Sequence, residues 1–235
     1  MKILSIDSSS LVASCAIIED DILTAEYTVC HEKTHSQTLM PMISEIFSMT
    51  GSKPEDMDAV AVASGPGSFT GLRIGGAAAK GFAAAIEKPV IPVPTLDAMA
   101  MNLFGCGELV VPMMDARREE TYSGIYAFED GKLRIIAAQN AAPVTELISK
   151  INELKRSVIF LGDGVPVFKD KLNAEINVEL KYAPPGLNRQ RAACVGALAL
   201  DYYSEGKFVS AEDFTPEYLR VSQAEREKAK GNGGF

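Results

Sequence analysis

The spacing of apolar positions changes several times along the chain, and each change marks an element. "KILSID" (residues 2–7) is a short apolar run that ends in a carboxylate. "SSSLVASCAIIEDD" turns and comes back apolar, and "ILTAEYTV" follows across an acidic hairpin turn. Three such runs in succession predict a β-meander. From Ser36 the period lengthens: Leu39, Met40, Ile43, Ile46 and Phe47 share one helical face, with Ser36 the expected N-cap and Pro41 in the early turns. "AVAVAS" (59–64) then predicts a buried strand and residues 70–86 a helix. "KPVIPVP" predicts another short strand, and Thr95 opens a further helix.

Near residue 105, "FGCGE" breaks the pattern, and the residues beyond it repeat the beginning. "LVVPMMDARREETYSGIYAFEDGKLRIIAA" has an apolar run ending in Asp115, a polar turn, a returning run, an acidic turn and a third run, as the first run ends in Asp7. Such a rhyme is the mark of an internal duplication. A helix over Val144–Leu154, a buried strand in "SVIFLGDG", a strand near "VELKYA" and a helix in "RAACVGALALDYYSEG" complete the second half. The expected organisation is two β-meander-plus-αβ units, 1–104 and 105–212. A segment 213–235 would then pack back on the first unit, with a fraying end at "EREKAK".

Composition narrows the function classes. With 235 residues the chain can form one large domain or two small units sharing a core. No run is long and apolar enough to span a bilayer. Asp7 interrupts the first apolar run too early for a signal peptide, so the start reads as the first strand of a cytoplasmic protein. Cys15, Cys30, Cys106 and Cys194 lack CxxC spacing and read as reduced, mostly buried thiols. A net charge of −8 excludes a nucleic-acid binder acting alone, because phosphate contacts need a concentrated basic face.

Two turns carry candidate chemistry. Asp7 with Ser8, Ser9 and Ser10 either steers a Mg²⁺-bound phosphate or simply caps its own turn. The stretch "SGPGSFTGLRIGGAAAKGFAAAIE" (64–87) places Gly65, Gly67 and Ser68 in a loop that feeds a helix, an arrangement able to cradle phosphate. It has neither the Lys-Ser/Thr of a Walker loop nor the GxGxxG spacing of a dinucleotide site, although Arg73 supplies one positive charge. The helix behind it is almost without bulk, and each glycine costs a free helix about 1 kcal/mol against alanine. Close packing is the expected compensation. Leu72, Phe82 and Ile86 would face the unit's own sheet, while Gly75, Gly76 and Ala79 admit a neighbour, either residues 36–48 or another chain.

His31 and His35 have helical metal-pair spacing, but only Glu32 or Glu45 could join them, so no metal site is expected. Asp115 and the Arg-Arg-Glu-Glu that closes its turn either face a cleft or form a salt-linked surface. No Ser-His-Asp, Cys-His or paired-carboxylate arrangement stands out, so no catalytic residue is assigned.

"ILSIDSSS", "HSQTLMP", "AVASGPGSFTGLRIGGAAAKG", "VPMMDARREETYSGIY", "LGDG" and "PEYLR" occur in that order over nearly the whole chain. Together they resemble the TsaB (YeaZ) family, and the long central motif is the specific one. The resemblance implies an α/β, two-lobed actin-like ATPase fold. It further implies a non-catalytic partner of TsaD, which places threonylcarbamoyl on adenosine in tRNAs reading codons that begin with adenine. TsaE joins that assembly, tRNA is met only through it, and the family also forms homodimers. His35, Leu39, Met42, Ile43, Ile46, Leu72, Arg73, Gly75, Gly76 and Ala79 would carry the partner contacts. Asp7, Ser8, Ser9, Ser10, Gly65, Gly67, Ser68 and Asp115 would be vestigial phosphate-facing positions. No cofactor of its own is implied, with ATP or ADP held at most weakly or at the junction with TsaD. The superfamily's second phosphate turn has Gly soon after its Asp, whereas Asp115 is followed by Ala-Arg-Arg, and Gly162 and Gly164 only faintly match its adenosine loop. The competing reading is an independent ATP-using kinase or hydrolase, and a metallopeptidase ranks below both.

Overall fold

Strands and helices follow one another in duplicate order in the computed structural model, which describes residues 1–31 and 34–220. The first half contains β1 (Lys2–Asp7), β2 (Val12–Glu19), β3 (Ile22–Cys30), α1 (His35–Thr50), β4 (Ala59–Gly65), α2 (Phe69–Ala85), β5 (Val90–Pro94) and α3 (Thr95–Ala100). The second contains β6 (Leu109–Asp115), β7 (Glu120–Glu129), β8 (Lys132–Pro143), α4 (Val144–Leu154), β9 (Val158–Leu161), α5 (Val165–Glu175), β10 (Leu180–Tyr182) and α6 (Ala192–Ser204). The sheets run β3-β2-β1-β4-β5 and β8-β7-β6-β9-β10. In each, the leading strand lies between an antiparallel partner from its hairpin and a parallel partner reached across a helix or longer loop. The rhyme in the sequence is therefore a duplication of topology.

The pleat distributes the first core to two faces. Leu4, Ile6, Cys15 and Ile17 pack with Leu39, Ile43, Ile46 and Phe47 of α1 and Ala79 and Ala83 of α2. Ile3, Ala61, Ile91 and Val93 point the other way, against Val195, Leu198 and Ala199 of α6. Helix α6 therefore belongs to the first lobe, which corrects the 105–212 boundary. Its seat is polar as well as apolar. Ser14 Oγ accepts the amide of Ala192 at 2.9 Å, and Glu26 accepts that of Ala193 at 3.0 Å while pairing with Arg191. A carboxylate from β3 thus sits on the positive end of α6.

In the second lobe, Val111, Met113 and Phe160 pack with Ile148, Ile151, Phe168 and Leu172 of α4 and α5. Helix α3 lies between the sheets, where Leu96 and Met99 meet Val110, Tyr126 and Leu161. There Asp97 accepts the Tyr126 hydroxyl at 2.7 Å and the Tyr202 hydroxyl at 3.3 Å, which ties α3, β7 and α6 to one carboxylate. Burial raises the pKa of Asp97, partly offset by those two hydroxyls.

Several local expectations are corrected. Helix α1 starts at His35 with Thr34 in the N-cap position, so Ser36 lies inside its first turn, and Pro41 is carried within the helix. Met42 fills the core, whereas Met40 is 52 % exposed. Helix α5 was not expected from the apolar pattern, because only Phe168 and Leu172 of its eleven residues are buried. No helix among the described residues is long and apolar enough to cross a membrane.

The small-residue helix is explained from within. A Cβ on Gly71 would lie 2.1 Å from the Ser8 carbonyl oxygen, one on Gly75 2.2 Å from Ser8 Oγ, and one on Gly76 3.0 Å from the Phe214 ring. Ala79 is fully buried in the same core. The strip expected to admit residues 36–48 or another chain is filled at Gly71, Gly75 and Gly76 by this chain's β1–β2 turn and C-terminal segment. That segment pairs Val209 with Val90 in both directions, buries Phe214, and lets Lys80 donate to the Glu212 and Phe214 carbonyls. The fraying expected at "EREKAK" lies outside the described residues.

Gly71 and Gly81 should therefore respond oppositely to alanine. Gly81 has open space at its Cβ position, so Gly81→Ala is expected to stabilise by about 1 kcal/mol in urea unfolding. Gly71→Ala must displace backbone and is expected to lose roughly 1–3 kcal/mol.

Candidate functional site

The duplicated hairpin turns face each other across a cleft of about 790 Å³. Ser9, Ser10, Gly67, Ser68, Phe69 and Gly71 line it from the first lobe, and Met114, Asp115, Arg117, Tyr122 and Asp163 from the second. Residues 217–220 close one side, and His31 and His35 lie near Ser10 at the other. Two turns predicted from separate halves of the sequence do converge.

Their polar groups are mostly committed to the chain itself. Asp7 Oδ1 accepts the Ser9 amide at 2.9 Å and the Ser9 hydroxyl at 2.7 Å. The Ser8 hydroxyl donates to the Gly71 carbonyl, and Ser10 Oγ accepts the amide of Val12. Ser68 caps α2 by accepting the Gly71 amide, and its own amide donates to the Ser9 carbonyl at 2.7 Å. In the second lobe Asp115 Oδ1 accepts the Arg117 amide at 2.8 Å, while the amides of Gly162 and Gly164 donate to Asn188 and Met113. A phosphate cradle needs such amides turned outward and free. Arg117, Arg118 and Glu119 further occupy three successive left-handed positions, φ 63°, 58° and 60°. Each costs on the order of 1 kcal/mol. The bonded amides of Ser9, Ser68, Arg117, Gly162 and Gly164 are not available to a phosphate.

Of the phosphate-facing candidates, Asp7, Ser8 and Gly65 are corrected, because they lie behind the cleft lining, with Asp7 1 % exposed. Burial pushes its carboxyl up to about 6, against the pull of the Ser9 bonds and His35. Asp7 Oδ2 and Asp163 Oδ1 have no hydrogen-bond partner among the described residues. Burial raises the pKa of Asp163 too, against the pull of backbone hydrogen bonds and Arg189. His35 Nε2 donates to the Ser10 carbonyl at 2.6 Å, which makes it a brace between α1 and the turn. Among the described residues no group of three or more His, Cys, Asp or Glu side chains is placed to hold a metal.

The partner candidates need a similar correction. Leu39, Met42, Ile43, Ile46, Leu72, Gly75, Gly76 and Ala79 are all buried in this chain's own packing, and His35 is half-buried. Arg73 alone of the set is exposed, with its guanidinium 3.8 Å from the centre of the Phe69 ring. What the same two helices present to solvent is different: Met40, Ser44 and Ser48 on α1, and Arg73, Ala77, Gly81 and Ala84 on α2. Sequence reasoning also passed over Asp163, Tyr218 and Arg220. The first lies in "LGDG", where only the glycines were considered, and the other two in "PEYLR", which carried the resemblance without a role.

Two duplicated lobes around a cleft between their hairpin turns define a member of the actin-like ATPase fold class. A solved structure from Pseudomonas aeruginosa, described as an uncharacterized protein with similarity to peptidase YEAZ, superposes with a TM-score of 0.81 at 26 % identity, over 93 % of this chain and 99 % of that one. The family described as "TsaD: tRNA N6-adenosine threonylcarbamoyltransferase" matches residues 29–228. The tRNA threonylcarbamoyladenosine biosynthesis protein TsaB of Escherichia coli is 30 % identical over 95 % of this chain and 96 % of its own length. The Bacillus subtilis protein of the same name is 28 % identical over 96 % of each. The chain belongs to the TsaB (YeaZ) family, within the broader TsaD-related group.

The buried Asp7 gives a pH signature. Its folded pKa of about 6 exceeds the ordinary 3.8, so the folded state holds the proton more tightly and ionisation costs stability. That cost is full above pH 6 and vanishes below about pH 4. Between pH 7 and pH 5 this group should add about 1 kcal/mol of stability. Asp7→Asn is expected to abolish that gain in unfolding curves measured at the two pH values.

Proposed function

We propose that this chain is the non-catalytic partner of TsaD in forming threonylcarbamoyladenosine on tRNA. The observation that carries the reading is that the amides of Ser9, Ser68, Ala116, Arg117, Gly162 and Gly164, which line the two turns and the two glycine loops, donate inside the fold. A kinase or hydrolase of this architecture needs them free for phosphate. Membership of the TsaB family supports the same reading. A nucleic-acid surface of its own would be at odds with a net charge of −8, so tRNA is reached only through the assembly.

The contact surface we assign is the solvent face shared by α1 and α2. Met40 and Met49 leave large apolar side chains exposed on α1, at 52 % and 78 %. Ala77, Gly81 and Ala84 leave α2 without bulk on its outer side, so a partner helix can approach closely. TsaD uses this face, a second copy of the chain competes for it, and TsaE joins the resulting assembly. ATP or ADP, where it binds, is held at the junction and not by this chain alone. The site of action is the cytoplasm, where the tRNA substrate is found.

The decisive measurement combines purified chain, TsaD, TsaE, tRNA and a source of threonylcarbamoyl-adenylate. Modification is expected to fall to background when the chain is left out, and equal yields with and without it would reject the role. Ala77→Trp and Met40→Glu are expected to weaken TsaD binding more than tenfold by calorimetry while leaving the unfolding midpoint of the free chain nearly unchanged.

A further inference from the structure

Residues 217–220 cross the mouth of the cleft. On the first lobe the Glu217 amide donates to the Ser64 carbonyl at 2.7 Å. Gly65 admits it, because at φ 128° a side chain there would run into the Glu217 carbonyl. The Tyr218 ring packs on Phe69 with centroids 4.8 Å apart, and its hydroxyl accepts Arg73 Nε at 3.3 Å. On the second lobe Arg220 donates to the Ala116 carbonyl at 2.6 Å and pairs with Glu120 at 2.5 Å. Its side chain is only 14 % exposed. These four residues thus carry the chain from one lobe to the other.

The far anchor is the segment with strained backbone. Ala116 and Glu120 bracket the left-handed Arg117, Arg118 and Glu119, and Arg220 grips both ends of that turn. The near anchor shares Arg73 with the solvent face of α2. A group docking on that face competes for the guanidinium that holds Tyr218.

We propose that residues 217–220 are a strap that holds the cleft closed, and that a protein docking on α2 at Arg73 releases Arg220 from the β6–β7 turn and opens the cleft. Docking and opening are then one event. The docking half rests on the proposed partnership with TsaD; the strap itself does not. Release frees the Ala116 carbonyl and the Glu120 carboxylate to water and lets the 117–119 turn relax.

Hydrogen–deuterium exchange of the full chain separates these claims. In Arg220→Ala, amides of a peptide covering 114–122 should exchange about tenfold faster, and Glu120→Gln should shift them in the same direction. Unchanged exchange in both variants overturns the strap. Adding purified TsaD to the wild-type chain should slow exchange over 36–49 and 70–85 and speed it over 114–122, towards the Arg220→Ala level. Slowing on the helices without a change at 114–122 overturns the coupling alone. No slowing on the helices overturns the partner reading and the coupled release with it, while the variant result still decides the strap.

Discussion

Flush seating of α2 on the β1–β2 turn is the contact on which the remaining architecture depends. At Gly71 and Gly75 the helix surface touches Ser8 with no room for a methyl group. That closeness lets the Ser8 hydroxyl reach the Gly71 carbonyl and the Ser9 carbonyl take the Ser68 amide. It also locates the loop from Gly65 to Ser68 at the edge of the cleft, within reach of Tyr218. A helix standing off by the width of one side chain would leave the Ser8 and Ser9 groups buried without partners, at a cost of about 1–3 kcal/mol each. The helical penalty of the glycines is offset by polar satisfaction of the turn beneath them.

The same contact bears on how an anion-binding turn depends on the direction of its amides. A turn is an anion site only while its amides point into space. Here the amides of Ser9, Ser68, Arg117, Gly162 and Gly164 turn inward, onto Asp7, Asp115 or a neighbouring carbonyl. The carboxyl groups left over, Asp7 and Asp163, are held at raised pKa by burial. Fold and activity are separable in this way because the scaffold needs only the turn's shape, whereas chemistry needs its unpaired groups.

Much of the fold was legible because meanders and helices differ in period. Leu39, Ile43, Ile46 and Phe47 recur at helical spacing, and the two runs ending in Asp7 and Asp115 announce the repeat. Helix α5 was not legible, since Lys169, Asp170 and Lys171 dilute its two buried positions. The seat of α6 was hidden for another reason. Its apolar residues say that it is buried but not against which sheet, and the deciding partner, Glu26, lies far away in the chain. Gly75 and Gly76 were read correctly as positions of close approach, but the approaching group was misassigned. Composition tells that space is needed, never who fills it.

The first lobe draws on both ends of the described chain. Val195, Leu198 and Ala199 complete one face of its sheet and Phe214 joins the core beside α2 on the other, although the sheet's own strands are finished by Pro94. On the ribosome these strands emerge long before the residues that cover them, and the second lobe, with its α4 and α5 at hand, can close earlier. The half that is encoded first is thus the last to be completed, and a nascent chain stopped short of Val195 would carry an open apolar sheet face that invites capture by chaperones.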